Sequence, residues 1–277
     1  QERLRGGRAV ALVANSSIAN ACTGEQGMAD ALEMAEMAAR KVGAVPEDVL
    51  VASTGVIGEF LPMDKIGAGI GRITLSGDGG HELARAIMTT DTVPKEIAVR
   101  SSEGGFIIGG VAKGSGMIHP DMATLLGFLT TDASVDAGFL RAALRRAVDF
   151  SFNMVSVDGD TSTNDTVLLM ANGLVGNETI TGGSQQADCF QRALDQVCIH
   201  LAKDIARDGE GATKLIEVTV SGAVSRAEAR LAARTVASSL LLKAAMYGND
   251  PNWGRAVAAL GRSGVEVEET RVDLYMG

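Results

Sequence analysis

Thr124 follows Ala123 at the end of the segment Lys113-Gly-Ser-Gly-Met-Ile-His-Pro-Asp-Met-Ala-Thr124. Glycine, serine and proline let such a segment turn sharply, and the small Ala123 leaves the peptide bond before Thr124 sterically open. Scission of that bond would make Thr124 a chain N-terminus, with an α-amine of reference pKa about 8 beside its own hydroxyl. An adjacent amine activates a weak hydroxyl nucleophile without any histidine. On residue types alone, the commoner role of a threonine in a glycine-rich segment is as a turn or capping residue.

Other nucleophile and metal arrangements are poorly supplied. There are three histidines, His81, His119 and His200. His81-Glu82 begins like a zinc-protease helix, but Arg85 stands where the second histidine belongs. No Gly-x-Ser-x-Gly elbow supports a Ser-His-Asp triad, and no Gly-Lys-Ser/Thr phosphate loop is present. Gly67-Ala-Gly69-Ile-Gly71 departs from dinucleotide-loop spacing. Asp158-Gly-Asp160-Thr-Ser-Thr-Asn164-Asp165 lacks the twelfth-position glutamate of a calcium loop. Cys22, Cys189 and Cys198 fit neither a CxxC pair nor a zinc pattern and are expected to be buried or indifferent thiols. No metal and no bound cofactor are expected.

A chain of 277 residues with 46% hydrophobic content can bury a large core, and it contains no run of about 18 apolar residues that could span a bilayer. It opens without a basic stretch followed by an apolar one, so a soluble, cytoplasmic protein is expected. The net charge of −9 disfavours a nucleic-acid partner, which needs basic patches to neutralise phosphates.

The surrounding elements set where these candidate residues can meet. Strands are expected at Arg8 to Asn15, Val49 to Ser53, Lys95 to Val99, Phe106 to Val111, Leu125 to Thr130, Thr166 to Asn172 and Lys214 to Ser221. Helices are expected at Met28 to Val42, His81 to Met88, Asp136 to Asn153, Gln185 to Asp208 and Ser225 to Met246. Strands and helices are interspersed, which gives an α/β or layered class. Polar clusters fall between them, at Asn15 to Gly24, Thr89 to Lys95, Asp158 to Asp165, Asp208 to Lys214 and Asn249 to Arg255. The first is also explained by capping, the second by helix termination before a proline, and Trp253 by a turn with a packed aromatic.

Taken together, the clusters resemble the glutamate N-acetyltransferase (ornithine acetyltransferase) family of arginine biosynthesis. The resemblance rests on Ala19-Asn-Ala-Cys-Thr-Gly24, Ala52-Ser-Thr-Gly-Val-Ile-Gly58, Met88-Thr-Thr-Asp-Thr92, Gly109-Gly-Val-Ala-Lys-Gly-Ser-Gly-Met117, Met122-Ala-Thr124, Ser156 to Asp165, Asp208-Gly-Glu-Gly-Ala-Thr-Lys214 and Tyr247-Gly-Asn-Asp-Pro-Asn-Trp-Gly-Arg255. They occur in order over nearly the whole sequence.

The resemblance implies an α/β sandwich of the type shared with self-processing aminopeptidases. It implies self-cleavage between Ala123 and Thr124 into an α chain (1–123) and a β chain (124–277) that form one catalytic unit, two of each in the assembled enzyme. It implies acetyl transfer from N-acetylornithine to glutamate through an acetyl-threonine, with acetyl-CoA as a further donor in some members. Thr124 would be the nucleophile, and Thr54 and Gly55 the oxyanion-hole pair. Thr90, Lys113, Thr124 and Glu210 would contact substrate, with Lys113 suited to a carboxylate and Glu210 to an ammonium. Thr89 and Thr92 lie close enough to be confused with Thr90. Family members begin before the strand at Arg8 and continue past Gly277 to an asparagine and a Thr/Ser that contact substrate, so part of the pocket is not assigned. The alternatives are a self-processing aminopeptidase of the same fold, which would pass the acyl group to water, and a non-catalytic metabolite-binding protein in which the Ala123–Thr124 bond stays intact.

Overall fold

The computed structural model describes residues 2–119 and 125–277. Two sheets stack face to face. Strands β1 (Ala11–Asn15) and β2 (Val49–Ser53) pair in parallel. Strands β3 (Lys95–Arg100), β4 (Ile107–Lys113), β5 (Leu126–Thr131) and β6 (Thr166–Ala171) form a second sheet in that order, antiparallel except for the parallel β5–β6 edge.

The period-2 alternation of strand side chains explains the layering. Leu12 and Ala14 of β1 and Ala52 of β2 point toward Val111, Leu126, Phe128 and Leu168 of the larger sheet. Ala11, Val13, Val49 and Val51 point the other way, onto helix α1 (Gly24–Val42) and helix α2 (Met63–Arg72). On the far side, Ile108, Ala112, Val167 and Leu169 meet helices α4 (Ala137–Asp149) and α5 (Gln185–Arg207). Helix α3 (Gly80–Ala86) adds Ala84 to the core between the sheets. The result is a helix–sheet–sheet–helix sandwich, as expected. Gly110 shows how closely the layers approach: a Cβ there would lie 2.4 Å from Leu129 and 3.1 Å from Leu201 and Val197 of α5.

One helix was not foreseen, and three sequence expectations are corrected. Gly67 to Gly71 lie inside α2, which the sequence did not reveal because glycine is a poor helix former. Packing supplies what propensity lacks: Gly67 lets the helix approach Met37, and Lys41 Nζ donates to Gly71 O at 2.8 Å. The helix expected over Ser225 to Met246 is two, α6 (Arg226–Ala237) and α7 (Leu240–Tyr247). The break falls where the buried Ser239 leaves helical geometry and caps α7, its hydroxyl accepting from Leu242 N at 3.3 Å.

Lys214 to Ser221 is not a strand. Its alternation is real, with Ile216, Val218 and Val220 half-buried between exposed neighbours, but among the described residues no strand lies beside it to form a ladder. Trp253 is not a packed turn residue: it is 66% exposed and opens helix α8 (Trp253–Gly261), after Asn252. Helices α6, α7 and α8 share a small core of Val236, Leu242, Ala256 and Ala259. No helix among the described residues is long and apolar enough to cross a membrane.

Candidate active site

The ends of β2 and β4 bring the first functional groups together. Lys113 is the last residue of β4, and Thr54 directly follows β2; both are buried. Lys113 Nζ donates to Thr54 Oγ1 at 3.2 Å and to Thr89 Oγ1 at 2.8 Å. Because the Thr54 oxygen accepts from a lysine, its own proton is free to be donated elsewhere. Gly55 carries φ +133°, in the region that favours glycine, and a Cβ there would lie 2.1 Å from the Ser17 carbonyl carbon. Backbone bonds from Thr54 N to Asn15 O (3.1 Å) and Val56 N to Ser17 O (2.9 Å) lock this turn against the loop after β1.

A buried charge cluster lies behind Lys113. Lys95, at the start of β3, has a fully buried side chain. Its Nζ is 2.7 Å from Asp91 Oδ1 and 2.6 Å from Asp208 Oδ2. Asp91 also accepts from Gly114 N at 2.7 Å and Thr89 N at 3.1 Å, and lies 3.9 Å from Lys113 Nζ. Burial pushes the Asp91 carboxyl up, but the Lys95 ammonium and the two amides outweigh it and hold the group below its ordinary value. For Lys113 burial is the largest influence and leaves the ammonium below its usual range, although Asp91, Glu210 and Asp165 pull it back up. Glu210 faces the site from the loop after α5: its amide donates to Ser115 O at 2.9 Å. Its carboxyl carbon lies 2.6 Å from where a Cβ would stand on Gly116, so that glycine makes room for the acid.

The loop between α4 and β6 holds both flanks of residues 120–124. On one side, Val157 N donates to Ile118 O (2.6 Å), Ile118 N to Asp158 Oδ1 (3.0 Å) and Thr161 Oγ1 to His119 O (3.0 Å). On the other, Thr166 N donates to Leu125 O at 2.8 Å, and the Asp165 carboxyl accepts from the Leu125 amide. Asn164 Nδ2 ties the same loop to Ala19 O (2.5 Å) and Ser53 O (3.0 Å). This Asp- and Asn-rich stretch is a clamp on the segment, a role its composition did not reveal.

Asp165 Oδ1 is buried and has no hydrogen-bond partner among the described residues. Burial pushes this carboxyl up to about 7, against the Leu125 amide and Lys113, which pull it down. A raised folded-state value means that the neutral acid is favoured by folding. Its stabilising contribution is therefore complete below the unfolded value and lost as pH rises through about 7. Asp165→Asn, which does not titrate, is expected to melt at a higher temperature relative to the parent at pH 8 than at pH 5. An equal difference at the two pH values in thermal melts would refute this.

Of the residues named from sequence, Thr54, Lys113 and Glu210 converge here, and Gly55 forms the turn beside Thr54. Thr90 contributes its carbonyl, which accepts from Ser115 Oγ at 3.4 Å, while its side chain is exposed; the hydroxyl that reaches Lys113 belongs to Thr89. Ala123 and Thr124 lie outside the described residues. Sequence reasoning missed Asp91, Lys95 and Asp208 as a unit. The one available signal was Asp91 and Lys95 four apart beside a polar run, and their separation from Asp208 hid the third member. Cys189 and Cys198 are buried, and burial pushes the Cys198 thiol up to about 12, as an unreactive thiol requires; Cys22 is exposed.

The arginine biosynthesis bifunctional protein ArgJ of Symbiobacterium thermophilum is 61% identical over 279 residues, covering 99% of this chain and 69% of that protein. The protein of the same name from Bacillus subtilis is 51% identical over 269 residues, covering 96% and 66%. A crystal structure of arginine biosynthesis bifunctional protein ArgJ from Bacillus halodurans, 52% identical, superposes with a TM-score of 0.50 over 51% of this chain and 66% of that one. The chain thus spans about two thirds of the length of the relatives it matches. The sequence profile of the ArgJ family matches residues 1–277, from end to end, and the chain belongs to that family.

Proposed function

We propose that this chain carries the catalytic centre of an acetyltransferase of arginine biosynthesis, which moves acetyl from N-acetylornithine to glutamate after self-cleavage between Ala123 and Thr124. The observation that carries this reading is the Lys113 ammonium held between Thr54 and Thr89 with the Glu210 carboxyl facing it. A cation and an anion at one site suit a substrate that bears both an α-carboxylate and a side-chain ammonium.

In the cleavage step Thr124 Oγ bonds to the Ala123 carbonyl carbon, the carbon–nitrogen bond breaks, and the nitrogen takes up the hydroxyl proton. Water then hydrolyses the ester, leaving a carboxylate on Ala123 and a free α-amine on Thr124. That amine serves as base for the same hydroxyl in the transfer reaction. Thr124 Oγ attacks the acetyl carbonyl, and ornithine leaves with the proton on its nitrogen. The amine of glutamate then takes the acetyl group and returns a proton to Oγ. The free proton of the Thr54 hydroxyl and the Gly55 amide are the donors for the oxyanion formed at each attack. The α and β products remain associated, two of each.

Incubation of the protein with N-acetylornithine and glutamate tests the reading. N-acetylglutamate and ornithine are expected to appear in equal amounts. Acetate without N-acetylglutamate would replace the transferase by a hydrolase, and no turnover of either kind would overturn the assignment. Initial rates with acetyl-CoA in place of N-acetylornithine report whether the second donor is used.

A further inference from the structure

We propose that Lys95 is a specificity-determining positioning residue: by bridging Asp91 and Asp208 it fixes the separation of Lys113 from Glu210, and so the length of the substrate held between them. The inference rests on the reading above, that Lys113 and Glu210 take opposite charges of one substrate.

Lys95 touches neither end of that substrate, yet it ties the two ends together. On one side its Nζ holds Asp91 at 2.7 Å. The same Asp91 oxygen holds the amide of Gly114, the residue after Lys113, at 2.7 Å, and the other oxygen lies 3.9 Å from Lys113 Nζ. On the other side its Nζ holds Asp208 at 2.6 Å, two residues before Glu210. Thr92 completes the second junction, with its amide donating to Asp208 Oδ2 at 2.9 Å and its hydroxyl to Oδ1. The Lys95 and Asp91 side chains are wholly buried and that of Asp208 is 6% exposed, so water does not loosen the bridge.

Buried, fully paired charges contribute positional uniqueness more readily than net stability. A cluster serving only as a structural staple would, when weakened, lower turnover of every substrate alike. A brace that sets a distance would instead lose its preference for one chain length. One extra or missing methylene is worth roughly 10- to 200-fold in discrimination in an apolar pocket, which sets the scale for a length preference.

The test uses the full chain, its Thr92→Val variant and its Asp208→Asn variant. Thr92→Val keeps the amide bond to Asp208, removes the hydroxyl bond at an exposed position, and leaves no buried charge unpaired. The measured quantity is kcat/KM for N-acetylornithine and for its analogues one methylene shorter (from 2,4-diaminobutyrate) and one longer (from lysine). The parent is expected to prefer N-acetylornithine over both by at least about tenfold. Both variants are expected to narrow that preference severalfold. Equal loss on all three substrates, or a parent with no length preference, overturns the proposal and leaves the acetyltransferase reading standing. A parent inactive on all three substrates overturns both.

Discussion

A Thr124→Ala chain is expected to run as a single uncut band on a denaturing gel and to lose acetyl transfer by on the order of 10⁴-fold or more. The two losses have one cause. In the proposed mechanism the threonine oxygen first attacks the Ala123 carbonyl and then carries the acetyl group, and alanine offers no oxygen for either. Among the described groups, His119 Nδ1 is 2.9 Å from Ser156 Oγ, and the Thr54 and Thr89 hydroxyl oxygens each accept from Lys113. Thr124→Ser restores an oxygen at the same position and is expected to recover both cleavage and transfer in part. The uncut Thr124→Ala chain is expected to fold, because Ile118, His119 and Leu125, on the two flanks of residues 120–124, are hydrogen-bonded to the loop before β6. A cleaved, active Thr124→Ala protein would refute the assignment of the nucleophile.

Lys95→Met is expected to cost about 3–5 kcal/mol of stability at pH 7, the range for removing one partner of a buried ion pair. Methionine fills a similar volume, so the loss comes from charge rather than from a cavity. It leaves the carboxylates of Asp91 and Asp208, formerly within 2.7 Å of one ammonium, facing each other in a site with little water. The sign of the pH dependence follows from Asp91. Its folded-state value is held down, so the parent gains stability above the ordinary carboxylate range and loses it as pH falls through the lowered value. The methionine variant lacks that gain. The gap between the two proteins is therefore widest at neutral pH and narrows on acidification. Urea denaturation at pH 7 and at about pH 3, below the ordinary carboxylate value, reads the gap directly, and a gap that widens at the lower pH would show that the ammonium is not what stabilises the cluster.

The strands were the most readable elements. Val49–Ser53 and Ile107–Lys113 are apolar runs bounded by turn residues, and both stand in the structure close to where their composition puts them. Their alternation also fixes which side chains face the helices and which face the other sheet, since a one-residue slip would exchange the two faces. Elements held by packing rather than by their own propensity were hidden. Helix α2 has three glycines in Met63–Arg72, and the α6–α7 break depends on Ser239 being buried where it can cap. Lys214 to Ser221 shows the reverse: strand-like alternation is a local property, whereas a ladder needs a second strand beside it.

The same division runs through the candidate site. The order of residues along the chain is enough to suggest the proposed chemistry. It supplies a threonine behind a small residue in a turning segment, and the ordered family motifs that name Lys113, Glu210, Thr54 and Gly55. It also lacks the histidine and cysteine spacings of a zinc site and the elbow of a serine triad. These are statements about residue types and short spacings, which a linear chain records. Three facts appear only once the chain is folded: Thr89 presents its hydroxyl to Lys113, Asp165 lies against Leu125 with a raised carboxyl value, and Lys95 joins Asp91 to Asp208. Each depends on burial and on contacts across as many as 113 residues of chain. A charge acquires its pairing and its protonation state from neighbours in space, and their identity is fixed only when the two sheets close on one another.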